Sequence, residues 1–339
     1  MRKGITTIVA SAVLAGSVML AAVSEVSAQA GSGAEFLTYP MGARAVGMGR
    51  AYTAVANDIQ TASWNPAGLA LLKQREISYS RLNSFSFQVG DTEDSINNNL
   101  ISLGFPTSIY GSFGFSLEIQ NYGATAITGP GGPDILAIVD DKTMIFYGFY
   151  ATSLTDKLDV GIDYKFVSVD FGSLDEAATT SAIDLGVLYR PFRTIPLQIG
   201  SSLRNLGFAM QYKNAPQKDP LPRRLRVGGA YDVLQHLTAS DVLSLIVATD
   251  IEMWRSKIVG EDDEVLKRPI ESSQYFGTEF SYSGLLFLRF GYIREKLFET
   301  VGPAYGIGLN FKGIRFDLAQ ELGVSDLGDE THFTAGLSF

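Results

Sequence analysis

The side chains that most often carry enzymatic or metal chemistry are scarce in this sequence and poorly spaced for it. Cysteine is absent and histidine occurs twice, at His236 and His332. That removes thiolate metal sites and thiol nucleophiles, and two distant histidines predict neither a His-based zinc site nor a Ser-His-Asp triad. Gly47-Met48-Gly49 has the outline of a phosphate loop. It follows no strand and lacks the third spaced glycine, so a tightly packed turn is the better reading. Glu261-Asp262-Asp263-Glu264 is a carboxylate run without the alternate-position spacing of a calcium loop, and reads as solvated. Asp159, Asp163, Lys165, Asp184, Asp250, Glu252, Arg289, Arg315 and Asp317 are single ionic residues set between apolar ones. No nucleophile motif accompanies them. The expectation is a protein that is not an enzyme and uses no cofactor or metal. Basic residues number 27 against 36 acidic, with no cluster. That balance argues against nucleic acid as a partner, because phosphate neutralisation needs a positive face.

The isolated charges find a place once the residues between them are considered. In Leu158–Phe166 one face carries Leu, Val, Ile, Tyr and Phe, and the other Asp159, Gly161, Asp163 and Lys165. The same period of two recurs down the chain. It predicts about fourteen strands, at 75–87, 97–105, 111–122, 142–151, 158–170, 181–190, 196–206, 224–232, 242–254, 274–282, 284–292, 303–311, 313–320 and 331–339. Residues 142–151 are apolar on both faces, so the pattern leaves their register open. Connections alternate between short and long, the longest being 123–141, 207–223 and 255–273. Short turns on one side and long loops on the other, with spanning strands of about 9–11 residues, describe a transmembrane antiparallel β-barrel. A soluble sandwich also alternates, and the loop lengths decide between them. Tyr79, Tyr110, Tyr147, Tyr150, Tyr189, Tyr231, Tyr275, Tyr282, Tyr292 and Tyr305 lie near strand ends or within strands, and those at the ends suit interfacial aromatic girdles.

Before the strands lie two segments of other kinds. Arg2 and Lys3, the apolar run to Val23 and the small-residue site Ala28-Gln29-Ala30 read as a signal peptide over 1–30. No run of eighteen apolar residues follows it, so no membrane helix is predicted. Residues 31–74 do not alternate and are rich in small residues. Asn65 suits a helix N-cap with Pro66 at the first position and Gly68 loosening the turn, and Asp58 suits a cap for the preceding stretch. A segment of this size fits inside a barrel as a plug, with Arg44 and Arg50 as partners for inward carboxylates. The barrel itself then occupies 75–339. An even strand count puts both of its ends on the periplasmic side.

The run FL…GARAVGMGRAYTAVANDIQTASWNPAGLA, at about 36–70, resembles the PorV/PorQ family of outer-membrane proteins within the wider FadL-like barrel group. Gly42, Arg44, Gly47, Met48, Gly49, Asp58, Asn65, Pro66 and Gly68 carry that likeness. The last strand, with Phe333, Leu337 and Phe339 on one face, is similar to the assembly signal of outer-membrane barrels. The resemblance implies a fourteen-stranded all-β barrel with an N-terminal plug in contact with outer-membrane lipid. It also implies accessory work in type IX secretion, through contact with a secretion translocon and secreted cargo proteins. The FadL-like side of the group implies the alternative, a channel for small hydrophobic molecules.

Overall fold

The computed structural model describes residues 34–55, 57–89, 92–107, 109–128, 135–172, 176–214, 218–238, 242–255, 258–259, 265–267, 269–297, 299–325 and 328–339. The signal peptide at 1–30 and the acidic run at 261–264 lie outside them. Fourteen strands close into one antiparallel barrel. They are β1 (Glu76–Val89), β2 (Thr92–Thr107), β3 (Gly111–Thr128), β4 (Ile135–Thr155), β5 (Leu158–Phe171), β6 (Glu176–Tyr189), β7 (Leu197–Gly207) and β8 (Arg224–Asp232), followed by β9 (Leu243–Arg255), β10 (Ile270–Tyr282), β11 (Leu286–Arg294), β12 (Val301–Phe311), β13 (Ile314–Ser325) and β14 (Gly328–Ser338). Each strand pairs with its sequence neighbour, and β14 closes on β1 from Glu76↔Ser338 to Asn83↔Thr331. Closure leaves no unpaired edge, which is what a sheet needs where no water can satisfy its backbone. No helix among the described residues is long and apolar enough to cross a membrane.

The predicted faces hold. Phe166, Ile251, Phe290, Ile307 and Leu318 stand exposed on the outer surface, whereas Asp159, Asp163, Lys165, Asp250 and Asp317 are buried within. In β4 the odd positions turn inward, burying Ile145, Tyr147 and Phe149, and Met144, Phe146 and Tyr150 face out. Tyr147 and Tyr275 are therefore inner-wall residues and not members of an interfacial girdle; Tyr275 stacks under the Arg226 guanidinium at 4.1 Å.

Several predicted loops are strand. The segment 88–96 shrinks to a tight connection between β1 and β2, and most of 123–141 is an extension of the β3–β4 hairpin. Outside the bilayer the side chains lose their alternation, but the backbone ladder needs only paired N–H and C=O groups and runs on. The 255–273 connection carries a small ladder, Ile258–Val259 against Val265–Lys267, and ends where β10 starts at Ile270. The wall is irregular at β7. There Leu203 pairs with Leu185 and Leu206 with Ile183, so two residues of β7 stand against Asp184 alone. Asn205, in the left-handed region at φ 59°, sits in this bulge. Beyond Gly207, residues 176–181 of β6 lose β7 as partner. The chain after β7 takes its place through Phe208 N–H to Ser181 O and Lys213 N–H to Ala177 O.

Candidate functional site

The residues before β1 fold as short turns: 3-10 helices at Glu35–Thr38, Ile59–Ser63 and Pro66–Leu71, and the five-residue helix α1 (Ala43–Gly47). None is long enough to be stable alone. Their order comes from the inward face of the barrel, against which the segment packs along its length. Wall glycines form the track. A Cβ on Gly291 would meet the Gly49 nitrogen at 2.0 Å, and one on Gly161 would meet the Pro66 carbonyl carbon at 2.3 Å. Gly49 itself has φ +58° and its own Cβ would strike the Phe276 oxygen at 2.5 Å. A Cβ on Gly47 would meet the Gly306 Cα at 3.1 Å, and Met48 lies over Gly277. The small residues that drew attention in the sequence thus meet small residues of the wall, backbone against backbone.

The segment is fixed near the short-turn end by a closed ring of six charges. Arg44 gives Nε and Nη2 to both oxygens of Glu279, at 2.8 and 2.7 Å. Glu279 also accepts from Arg289 Nε at 2.6 Å, and Arg289 Nη1 reaches Asp317 at 2.6 Å. Asp317 accepts from Arg315 Nε at 2.7 Å, and Arg315 Nη2 reaches Asp58 at 2.6 Å. Asp58 closes the circuit by accepting from Arg44 Nη1 at 2.9 Å. Three guanidiniums alternate with three carboxylates, so the charge balances, and most of the possible hydrogen bonds are bidentate or shared. Arg44 and Asp58 come from the segment; the other four come from β10, β11 and β13. Asp58 also accepts from the Tyr52 hydroxyl at 2.7 Å. Burial pushes the Asp58 carboxyl up, but Arg315 and Arg44 outweigh that and hold it well below the ordinary carboxylate range.

Further anchors follow the segment through the lumen. Arg50 gives Nε to Glu321 at 2.8 Å, with Nη2 on the other oxygen, and Nη1 bonds Glu295. Asp250 accepts from the Tyr52 and Thr53 backbone amides at 3.0 Å each and from the Thr53 hydroxyl at 2.7 Å. Asn65 caps the Pro66–Leu71 turn through Ala67 N–H and gives its amide to the Thr53 and Val187 carbonyls. Gly68 lies buried in that turn, its N–H on the Asn65 carbonyl at 3.0 Å. Gly42, at φ +96°, precedes α1. Phe333, Leu337 and Phe339 are exposed on the outer surface, and Phe339 N–H bonds the Arg75 carbonyl beside the β1–β14 seam.

Two expectations need correction. Asp58 caps the stretch that follows it, accepting from Thr61 N–H at 3.1 Å, because the free amides that a carboxylate can satisfy are at a helix N-terminus. Arg44 and Arg50 pair with Glu279, Glu295 and Glu321, none of which was among the expected partners. Glu279 alternates inward behind Phe280, a signal that was present in the sequence. Glu295 and Glu321 fell in predicted loops, and their role depends on where β11 and β13 end.

The inner wall also has an apolar side. Val167 and Val169 of β5 and Ala178 and Ala182 of β6 face inward and are covered by Met210 and Leu221 from the chain after β7. Beside them a recess of about 420 Å³, bordered by Val169, Ala178, Ala209 and Lys213, lies at the edge where β6 loses β7.

No family model and no curated protein matches the sequence. The fold does have solved counterparts. The toluene transporter TodX of Pseudomonas putida is similar with a TM-score of 0.55 and 14% identity, over 86% of this chain and 95% of that one. A FadL homologue of Pseudomonas aeruginosa is similar with a TM-score of 0.50 and 12% identity, over 89% and 99%. The monoaromatic hydrocarbon channel CymD is similar with a TM-score of 0.50 and 12% identity, over 88% and 97%. At such identities the likeness concerns the fold alone, a closed barrel of the FadL-like kind.

Proposed function

We propose that this barrel is a passage for small apolar molecules, closed along its axis by the N-terminal segment acting as a plug. The observation that carries the reading is the break in the wall between β6 and β7. Elsewhere the inner wall, polar and apolar residues alike, is engaged with the segment. At the break the inward residues Val167, Val169, Ala178 and Ala182 are apolar, and Val169 and Ala178 border the recess together with Ser168, Thr179, Gln211 and Lys218. An apolar solute gains by following apolar surface and has no such surface across the ring of charges. The route runs from the long-loop end, outside the cell, into the recess and out sideways. The FadL-like neighbours, among them a toluene transporter, agree with this class of solute. The test is uptake of radiolabelled toluene by cells carrying the intact chain or Ala178→Trp, which fills the recess. Uptake should fall several-fold in the variant at equal barrel abundance. Equal uptake in both overturns the route.

A second reading, docking of a secretion translocon and its cargo, rests on the family likeness of residues 36–70 and on the chain after β7, where Phe208 is 80% exposed. Surface-protein yield measured in the same deletion strain separates the two. Lost surface delivery with normal uptake favours docking, and the reverse favours passage.

A further inference from the structure

We propose that Glu321, Glu330 and His332 form a binding site for a divalent transition-metal ion of the zinc class, in the long-loop half of the barrel. Glu321 of β13 stands directly opposite Glu330 of β14, and His332 follows two residues later on the same inward face. One ligand atom from each lies within 4.8 Å of the others. His332 is 2% exposed and its Nε2 has no hydrogen-bond partner. Glu330 Oε2 stands 3.8 Å from it, beyond hydrogen-bond range. An imidazole nitrogen buried in that way costs free energy unless something satisfies it. An ion bound at about 2.0–2.2 Å to nitrogen and oxygen would bridge such a pair after a small side-chain rotation.

The surroundings suit a cation. Arg50 is bonded to both Glu321 and Glu295 and also faces Glu330, and Arg226 faces Glu295, so three carboxylates meet two guanidiniums. The group therefore carries an excess of negative charge that a divalent ion would offset. The outer contacts already orient the ligands, as supporting contacts in metal sites do. Ser84 Oγ donates to Glu330 Oε1 at 3.1 Å, which leaves Oε2 toward His332. Arg50 holds Glu321, whose oxygens each keep a spare lone pair. One imidazole with two carboxylates favours zinc or its neighbours over calcium and magnesium, which take oxygen alone. The two lone histidines of the sequence gave no sign of this. Glu321 and Glu330 come together only because β13 and β14 run on past the predicted strand ends.

The bound ion would tie β13 to β14 and, through Glu321 and Arg50, to the segment inside. The test uses the full chain in detergent micelles, titrated with zinc chloride by calorimetry. Saturable uptake of a single ion is expected, with a higher melting temperature. His332→Gln and Glu330→Gln should each weaken binding about tenfold or more, since even supporting contacts in metal sites are worth that much. His236→Gln should leave binding unchanged. No saturable uptake, equal affinity in His332→Gln, or loss in His236→Gln overturns the site. X-ray absorption of the zinc-loaded unaltered chain keeps the test decisive if a variant does not fold. One imidazole among oxygens is expected; a shell of oxygens alone or of two imidazoles overturns it.

Discussion

Asp58 accepts hydrogen bonds from Arg44, Arg315, Tyr52 and the Thr61 amide, and no other carboxylate of the segment has so many partners. Asp58→Asn leaves two guanidiniums facing an uncharged group. Breaking a buried pair from one side costs about 3–5 kcal/mol, and that loss should appear in urea unfolding followed by the fluorescence of Trp64 within the segment. The same carboxyl sets an acid limit. Its pKa is lower in the folded chain than in the unfolded one, so its stabilisation is complete above about pH 4 and is lost as pH falls through the depressed folded value. Trypsin should reach Arg44 and Arg50 only after acid treatment of the unaltered chain, and at neutral pH in Asp58→Asn; protection of the variant at neutral pH would deny Asp58 this role. Glycine supplies a second test. Gly291→Ala puts a methyl group 2.0 Å from the Gly49 nitrogen, whereas Gly148→Ala meets nothing within 4 Å. The first should displace the segment and the second should stay within about 0.5 kcal/mol of the parent. Equal stability of the two variants would mean that the track of glycines is not needed.

At the scale of the strand, depth in the bilayer decides what a charge costs. Phe290 and Leu318 lie mid-strand on the outer surface, 58% and 49% exposed. Phe290→Arg and Leu318→Arg should each cost about 2–4 kcal/mol, and Leu245→Arg, two residues from the start of β9, should cost less. Unfolding in lipid vesicles gives the order, and a larger penalty at Leu245 would misplace the bilayer. The strands themselves were legible in the sequence because lipid on one side and polar lumen on the other force a period of two. That signal fades where neither constraint acts. The extensions at 92–96, 123–128 and 135–141 lie past it, and the register of β4 was ambiguous because Ile145, Tyr147 and Phe149 face an apolar inner segment instead of a polar lumen. The charges were half legible. Arg289, Arg315 and Asp317 of the ring stood out by alternation, and Glu279 follows the same pattern, but Glu295 and Glu321, the partners of Arg50, gain their roles from strand ends and from a partner segment more than two hundred residues away.

For the whole molecule, the question is whether the barrel needs its contents. Backbone bonds between strands satisfy themselves, so a chain beginning at Lys73 should still form a barrel. In a planar bilayer it should conduct ions where the full chain is nearly silent, and equal conductance would remove the plug from the proposal. The charge ring bears also on the order of assembly. Its four wall members sit on β10, β11 and β13, whereas Arg44 and Asp58 precede β1 in the chain. The earliest part of the chain thus cannot be locked until nearly the latest part has arrived. Until then Arg44 and Asp58 have only partners within the segment, each other and Asn57, Tyr52 and the Thr61 amide, and the half-built sheet encloses a loosely held tenant. Sealing β14 against β1 completes both the container and the lock on its content, so a barrel that closed without the segment would be marked by a Glu279 left with Arg289 alone, one of its oxygens without the Arg44 guanidinium.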